Sequence, residues 1–175
     1  MEFININKYI VLSMVLFVSE LSYSKSIFPI GTDYLVKQLY QGVVAKQVDL
    51  TDEFTKMFRT RFKAALSSKI TFAGLYASTV WGCGSSGCHS TAFINKQTGR
   101  ALNKSFTVYY SMQGEVIGEE IEYIDKYSRL IIAAGTDEDT HETFRYYYLL
   151  ENGELTLIKK IPIEKIIDIQ FKMDL

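Results

Sequence analysis

The sequence predicts an α+β domain, with one or two N-terminal helices packed on a mainly antiparallel, meandering β-sheet. Three observations lead there. One amphipathic helical stretch lies before residue 68. From residue 69 onward the apolar residues alternate in short β-branched and aromatic runs, which sets roughly six to eight strands. Glycine- and asparagine-containing turns separate those runs closely enough for hairpins.

The N-terminus is read apart from the domain. Residues 10–18, IVLSMVLFV, form an apolar run after Lys8. It is shorter than the roughly 20 residues a helix needs to span a bilayer. It fits the apolar core of a secretory signal peptide, and Ser22 and Ser24 supply the small residues that precede a cleavage point. The expected division is therefore a signal peptide at 1–24 and a single domain at 25–175. An uncleaved N-terminal anchor is the alternative. Cleavage would leave no stable membrane anchor and would place the protein in the periplasm or outside the cell. It would also remove Lys8, Glu2 and Glu20 from 19 basic and 20 acidic side chains, leaving 18 of each. A neutral chain has no net field to steer it onto nucleic acid.

The elements follow in order. Residues 33–42, DYLVKQLYQG, read as a short helix ended by Gly42, with a strand as the alternative. Residues 51–67 read as a helix. Thr51 can cap it, Asp52 and Glu53 suit its positive end, and Phe54, Met57, Phe58, Phe62, Ala65 and Leu66 recur at helical spacing. Residues 69–81, KITFAGLYASTVW, read as a strand with a bulge at Gly74. HSTAFIN, 89–95, pairs back on it, and KQTG, 96–99, is a turn. KSFTVYYS, 104–111, and SRLIIAAG, 128–135, are further strands. Residues 142–161 carry the clearest hairpin signal, with Asn152-Gly153 as its turn and Phe144, Tyr146, Tyr148 and Leu150 on one face. IEKIIDIQF, 163–171, alternates as a last strand after Pro162.

The chemistry-bearing stretch is TVWGCGSSGCHS, 79–90. It holds both cysteines of the chain, Cys83 and Cys88, and His89, one of only two histidines. In an oxidising compartment two cysteines in a small exported domain are most simply a disulfide. The glycines flanking the intervening serines allow the positive φ angles of a small ring. Two sharper readings compete. A catalytic Cys83 would need a thiolate and a base such as His89 or His141. A zinc site would spend Cys83, Cys88, His89 and His141 together.

Other groups weigh less. DEDTHE, 137–142, reads as a solvated hairpin tip, and a metal loop there would lack the glycine and terminal glutamate of an EF-hand. Twelve tyrosines and eleven phenylalanines fall mostly at strand positions, where aromatic residues form core and cross-strand pairs. Trp81, the sole tryptophan, is expected to wedge the cysteine loop onto the core. No catalytic residue set, cofactor or metal is assigned.

Phe72–Tyr76, Trp81–Gly84, Cys88 and Thr98–Arg100 together resemble a pattern in small exported bacterial proteins: F-A-G-x-Y, then W-G-C-G-x(2,3)-C, then T-G-[KR]. FRTRF (58–62), YSRLIIAAG (127–135) and RYYYLLENGEL (145–155) resemble the same group, so the likeness covers most of the domain. This chain carries one extra residue in its cysteine loop. The resemblance implies a compartment and a shape but no reaction.

The functional expectation is an exported, non-enzymatic protein that binds another macromolecule, for example an inhibitor or immunity-type protein with a protein partner in the cell envelope. Its candidate binding loop comprises Trp81, Gly84, Ser85, Ser86, Gly87 and His89. The alternative is a cell-wall-acting or metal-dependent hydrolase using Cys83 or the His89/His141 pair.

Overall fold

A single curled sheet organises the chain. The computed structural model describes residues 27–84, 87–112, 114–164 and 166. The expected signal segment lies outside them. Two helices, α1 (Glu53–Met57) and α2 (Arg59–Leu66), precede eight strands: β1 (Tyr76–Gly82), β2 (His89–Asn95), β3 (Phe106–Tyr110), β4 (Val116–Gly118), β5 (Glu120–Tyr123), β6 (Leu130–Thr136), β7 (Thr143–Glu151) and β8 (Glu154–Pro162). The strands follow the order β1-β2-β3-β4-β6-β7-β8, with β5 also on β6. Among the described residues every pairing is antiparallel except the short β4–β6 contact at Ile117 and Thr136.

The α+β expectation is corrected. The protein is mainly β, and its two short helices lie mid-chain after a long irregular segment. Residues 33–42 form no helix. A single 3-10 turn at Gly31–Tyr34 gives way to extended chain at Leu35, which bridges to Ser128. Tertiary contacts decide this local conformation. Val36 N–H donates to Tyr127 O at 2.8 Å, and Arg129 N–H to Tyr34 O at 2.9 Å. The backbone groups of this segment therefore find partners across the sheet rather than along a helix.

The helical stretch at 51–67 is present but interrupted at Phe58, whose φ of −104° and ψ of 24° separate α1 from α2. Asp52, not Thr51, caps α1, accepting from Thr55 N–H at 2.8 Å and Thr55 Oγ1 at 2.7 Å. Phe62, Ala65 and Leu66 face inward onto Ala77, Ala92 and Ile94 of β1 and β2, whereas Met57 is exposed. Lys96, itself buried, donates from Nζ to Leu66 O at 2.7 Å and to Ser68 O, satisfying carbonyls at the end of α2.

Gly74 marks a turn rather than a bulge. Ala73 and Gly74 both have positive φ, and Phe72 bridges to Tyr76, so F-A-G-L-Y folds back before β1 begins. A Cβ on Gly74 would lie 2.8 Å from Gln38 O, so the turn packs against extended chain. The β1–β2 hairpin runs in full register from Tyr76↔Asn95 to Gly82↔His89, with the cysteines at its tip. The β7–β8 hairpin turns at Asn152 and Gly153, both at positive φ, as an Asn-Gly type I′ turn requires.

Two short strands, β4 and β5, had no counterpart in the sequence reading. Gly118 makes them possible. At φ 97° its missing Cβ leaves room for Thr107 O, which would otherwise be 2.2 Å away. Gly135 of β6 is equally crowded, with Gly118 O at 2.1 Å from the same imaginary atom. The expected last strand is also revised. Ile163, Glu164 and Ile166 are helical, Ile166 docks in the core, and residues 167–171 lie outside the described residues.

Apolar side chains divide between the two faces. The inner face gathers Phe72, Tyr76, Phe93, Phe106, Ile131, Phe144, Tyr146, Tyr148 and Leu150 in one aromatic core, including the four alternating β7 residues predicted to share a face. The outer face of β6–β8 packs Leu130, Tyr147 and Ile161 against Phe28 and Tyr34 of the N-terminal segment.

Candidate functional site: the stapled hairpin tip

Cys83 and Cys88 are disulfide-bonded, with Cα atoms 5.2 Å apart, and Cys83 N–H donates to Cys88 O at 3.1 Å. The staple thus closes the end of a hairpin whose ladder already runs to Gly82↔His89. Bonded sulfurs offer neither a thiolate nucleophile nor a zinc ligand, so the catalytic and zinc readings of Cys83 and Cys88 fail on chemistry.

Three contacts hold the tip from behind. Trp81 is half-buried; its ring stacks on Phe58 at 4.6 Å between centroids and meets Phe62 edge-on at 6.2 Å. This is the wedge expected of Trp81, applied to the core cluster that α2 shares with β1 and β2. His89 Nδ1 lies 3.1 Å from Gly87 O, a bond the Nδ1–H tautomer makes. Gly87, at φ 66°, sits under the Tyr110 ring so closely that a Cβ would be 2.8 Å from Cδ2. Gly84, at φ 139°, has open space where its Cβ would be. Ser85 and Ser86 lie outside the described residues.

Several large apolar side chains on and near these strands are exposed. Val80 is 57% exposed, Tyr110 38%, and Met112, two residues beyond Tyr110, is fully exposed. Tyr110 escaped notice because in sequence it read only as part of a strand. Its place beside the staple comes from the β2–β3 register, which sets His89 opposite Val108.

His89 is not among the residues that line the hollow at His141. His141, at φ 56° in the β6–β7 turn, lines that hollow with Thr143, Pro162 and Glu164. Among the described residues no three His, Cys, Asp or Glu side chains gather as a metal site. The 137–142 turn is braced internally and from two strands, Tyr109 Oη of β3 donating to Glu138 Oε1 at 3.1 Å. Asp137 Oδ1 accepts from Asp139 N–H, Thr140 N–H and Thr140 Oγ1, while Oδ2 meets Lys160 Nζ at 3.2 Å. The Thr140 amide above all, then Lys160, hold the Asp137 carboxyl below its ordinary range.

A second polar group lies on the inner face. Glu119 Oε1 accepts from Tyr148 Oη at 2.9 Å and from Lys104 Nζ at 3.1 Å, and that ammonium rests over the Tyr148 ring at 4.5 Å. Burial, then the Glu119 charge, push the Tyr148 hydroxyl far up, and burial pushes Tyr146 up to about 12. Both phenols therefore stay protonated at neutral pH, and Tyr148 is a donor to Glu119.

No family model, curated protein or solved structure matches the chain.

Proposed function

We propose that the protein is an exported binding protein that presents the Cys83–Cys88 hairpin tip to a macromolecular partner in the cell envelope, in the manner of an inhibitor or immunity-type protein. One observation carries the reading: a disulfide-closed tip is braced by Trp81, His89 and Tyr110, with Val80 exposed three residues before Cys83. A tip ordered in advance loses little conformational freedom on binding, which raises affinity without new contacts. The disulfide suits an oxidising compartment, as do the apolar N-terminal segment and the resemblance to small exported bacterial proteins. Among the described residues no helix is long and apolar enough to cross a membrane.

Two measurements test this. N-terminal sequencing of envelope protein should begin near Lys25; intact Met1 on cytoplasmic protein would refute export. Replacing Ser85 and Ser86 by lysine should leave the melting temperature in place while abolishing partner capture from the envelope. Unchanged capture would place the binding face elsewhere.

A further inference from the structure

The sheet ends in two edge strands, β1 and β8, and they are guarded differently. β8 carries an extra residue, Ile158, between its Lys159↔Tyr147 and Leu157↔Tyr148 pairs, and Lys159, Lys160 and Pro162 follow. A bulge, lysines and a proline are devices that keep an edge from pairing with another chain. β1 is covered only over its first half. Tyr76 O accepts from Thr71 N–H at 2.8 Å and from Phe72 N–H at 3.1 Å, and Ser78 N–H donates to Thr71 Oγ1 at 2.9 Å. Cys83 N–H points the other way, to Cys88 O. Backbone groups alternate in direction along a strand. Those of Val80 and Gly82 therefore point off the sheet, as those of Tyr76 and Ser78 do. Both residues are exposed, and no described residue covers this second half of the edge.

Charge is uneven in the same place. Between Glu53 and Glu115 the chain has eight basic residues and no acidic one. Four are engaged: Lys56 with Glu53, Lys96 with carbonyls at the end of α2, Arg100 with Asp52 and Lys104 with Glu119. The other four, Arg59, Arg61, Lys63 and Lys69, are exposed and form no ion pair with any described residue. Three of these lie on α2, whose inner side packs on β1 and β2. Phe58, at its start, stacks on Trp81, so the helix begins beside the open half of β1.

Given a protein partner at the stapled tip, on which this inference rests, we propose that an extended, acidic segment of that partner adds to the sheet as a strand along Val80–Gly82. Outward N–H and C=O groups at strand spacing are met by another extended backbone. Uncompensated cations beside them select acidic side chains. A second copy of this chain fits less well. Antiparallel pairing of two β1 edges would set both α2 helices on one face of the joined sheet, cation against cation. A nucleic acid would use the cations but leave the backbone groups of Val80 and Gly82 unpaired.

The test is amide hydrogen exchange of the purified protein, read by 1H–15N NMR, with two peptides: Ac-EVTVEVE-NH2 and Ac-KVTVKVK-NH2. In the free protein Val80 and Gly82 should exchange rapidly, and Thr79 and Trp81, bonded to β2, slowly. Saturating acidic peptide should slow Val80 and Gly82 by about tenfold or more, and the lysine peptide should not. Val80→Pro removes one outward N–H and spares the β1–β2 ladder, a change that edge strands accommodate. It should weaken the acidic peptide by about tenfold. Arg59→Glu/Arg61→Glu/Lys63→Glu should weaken it as much, and this variant carries the test if Val80→Pro fails to fold. Unprotected Val80 and Gly82, equal protection by both peptides, or affinity unaltered by the charge reversal overturns the assignment. So does binding of oligothymidylate to α2 in the peptide's place, or protection that rises with protein concentration alone, the mark of a second copy. Partner capture that is lost in Ser85→Lys/Ser86→Lys but kept in the charge-reversed variant overturns this edge and leaves the tip as the binding site.

Discussion

The Trp81 ring stacks on Phe58 with centroids 4.6 Å and planes 27° apart, joining the last residues of β1 to the junction between the helices. Trp81 is the only tryptophan, so its emission reports on this joint alone. Trp81→Ala should cost about 2 kcal/mol, below a fully buried aromatic because the ring is only half-buried. Phe58→Leu should redshift the Trp81 emission while the sheet's far-UV circular dichroism persists. An unshifted spectrum would show that the stack does not order the indole.

The staple closes a short ring, and its contribution should be correspondingly modest. Cys83→Ser/Cys88→Ser should lower stability by about 2 kcal/mol in denaturant unfolding. Without reduction, intact mass should lie two hydrogens below the dithiol form. Ready alkylation of either thiol in native protein would contradict the bond.

Asp52 links three parts of the molecule: it caps α1, meets Arg100, and holds Thr55, whose Oγ1 accepts from Ala101 N–H at 2.9 Å. Asp52→Ala should cost about 1–2 kcal/mol. The pH dependence has a definite sign. The Thr55 amide first, then its hydroxyl, depress the Asp52 pKa in the folded state. Its contribution is therefore complete above the unfolded carboxylate value and is lost as pH falls through the lower, folded one. Asp52→Asn keeps the acceptor without the titration. Stability measured from about pH 5 to 2 should thus fall less steeply in Asp52→Asn than in the parent; parallel curves would exclude this role.

Gly118 tolerates no side chain. Its φ of 97° and the closeness of Thr107 O mean that Gly118→Ala meets both strain and a backbone clash. The expected loss is about 3 kcal/mol or more. Gly114→Ala is the comparison: it also has positive φ, at 83°, but nothing within 4 Å, so only the strain applies. Equal melting temperatures for the two variants would remove the clash argument.

Legibility in the sequence varied with how local each signal was. Both long hairpins announced themselves, because alternation and a turn lie within one stretch of chain. The staple followed from two cysteines and an inferred compartment. By contrast, β4 and β5 are three and four residues long and interrupted by Gly118, too brief to show a period. The break at Phe58 has no proline or glycine to signal it. Residues 33–42 look helical by themselves but are held extended by Tyr127 and Arg129, far along the chain. The meeting of Asn95, Asn103 and Asn152 around one cleft was hidden for the same reason: Asn95 read as the end of a strand, Asn103 stood between predicted elements and Asn152 read as a turn residue, and only the fold brings them together.

One distant contact has a bearing on the order of assembly. Lys159 Nζ of β8 donates to Ile27 O at 2.7 Å and lies 5.4 Å from the centre of the Phe28 ring. The first described residues are thus fastened by the last strand. That contact closes a loop of nearly the whole domain, whose entropic cost must be met before the outer-face cluster can form. Folding should therefore be slow and should finish only after β8 has been made, since its partners wait at the opposite end of the chain.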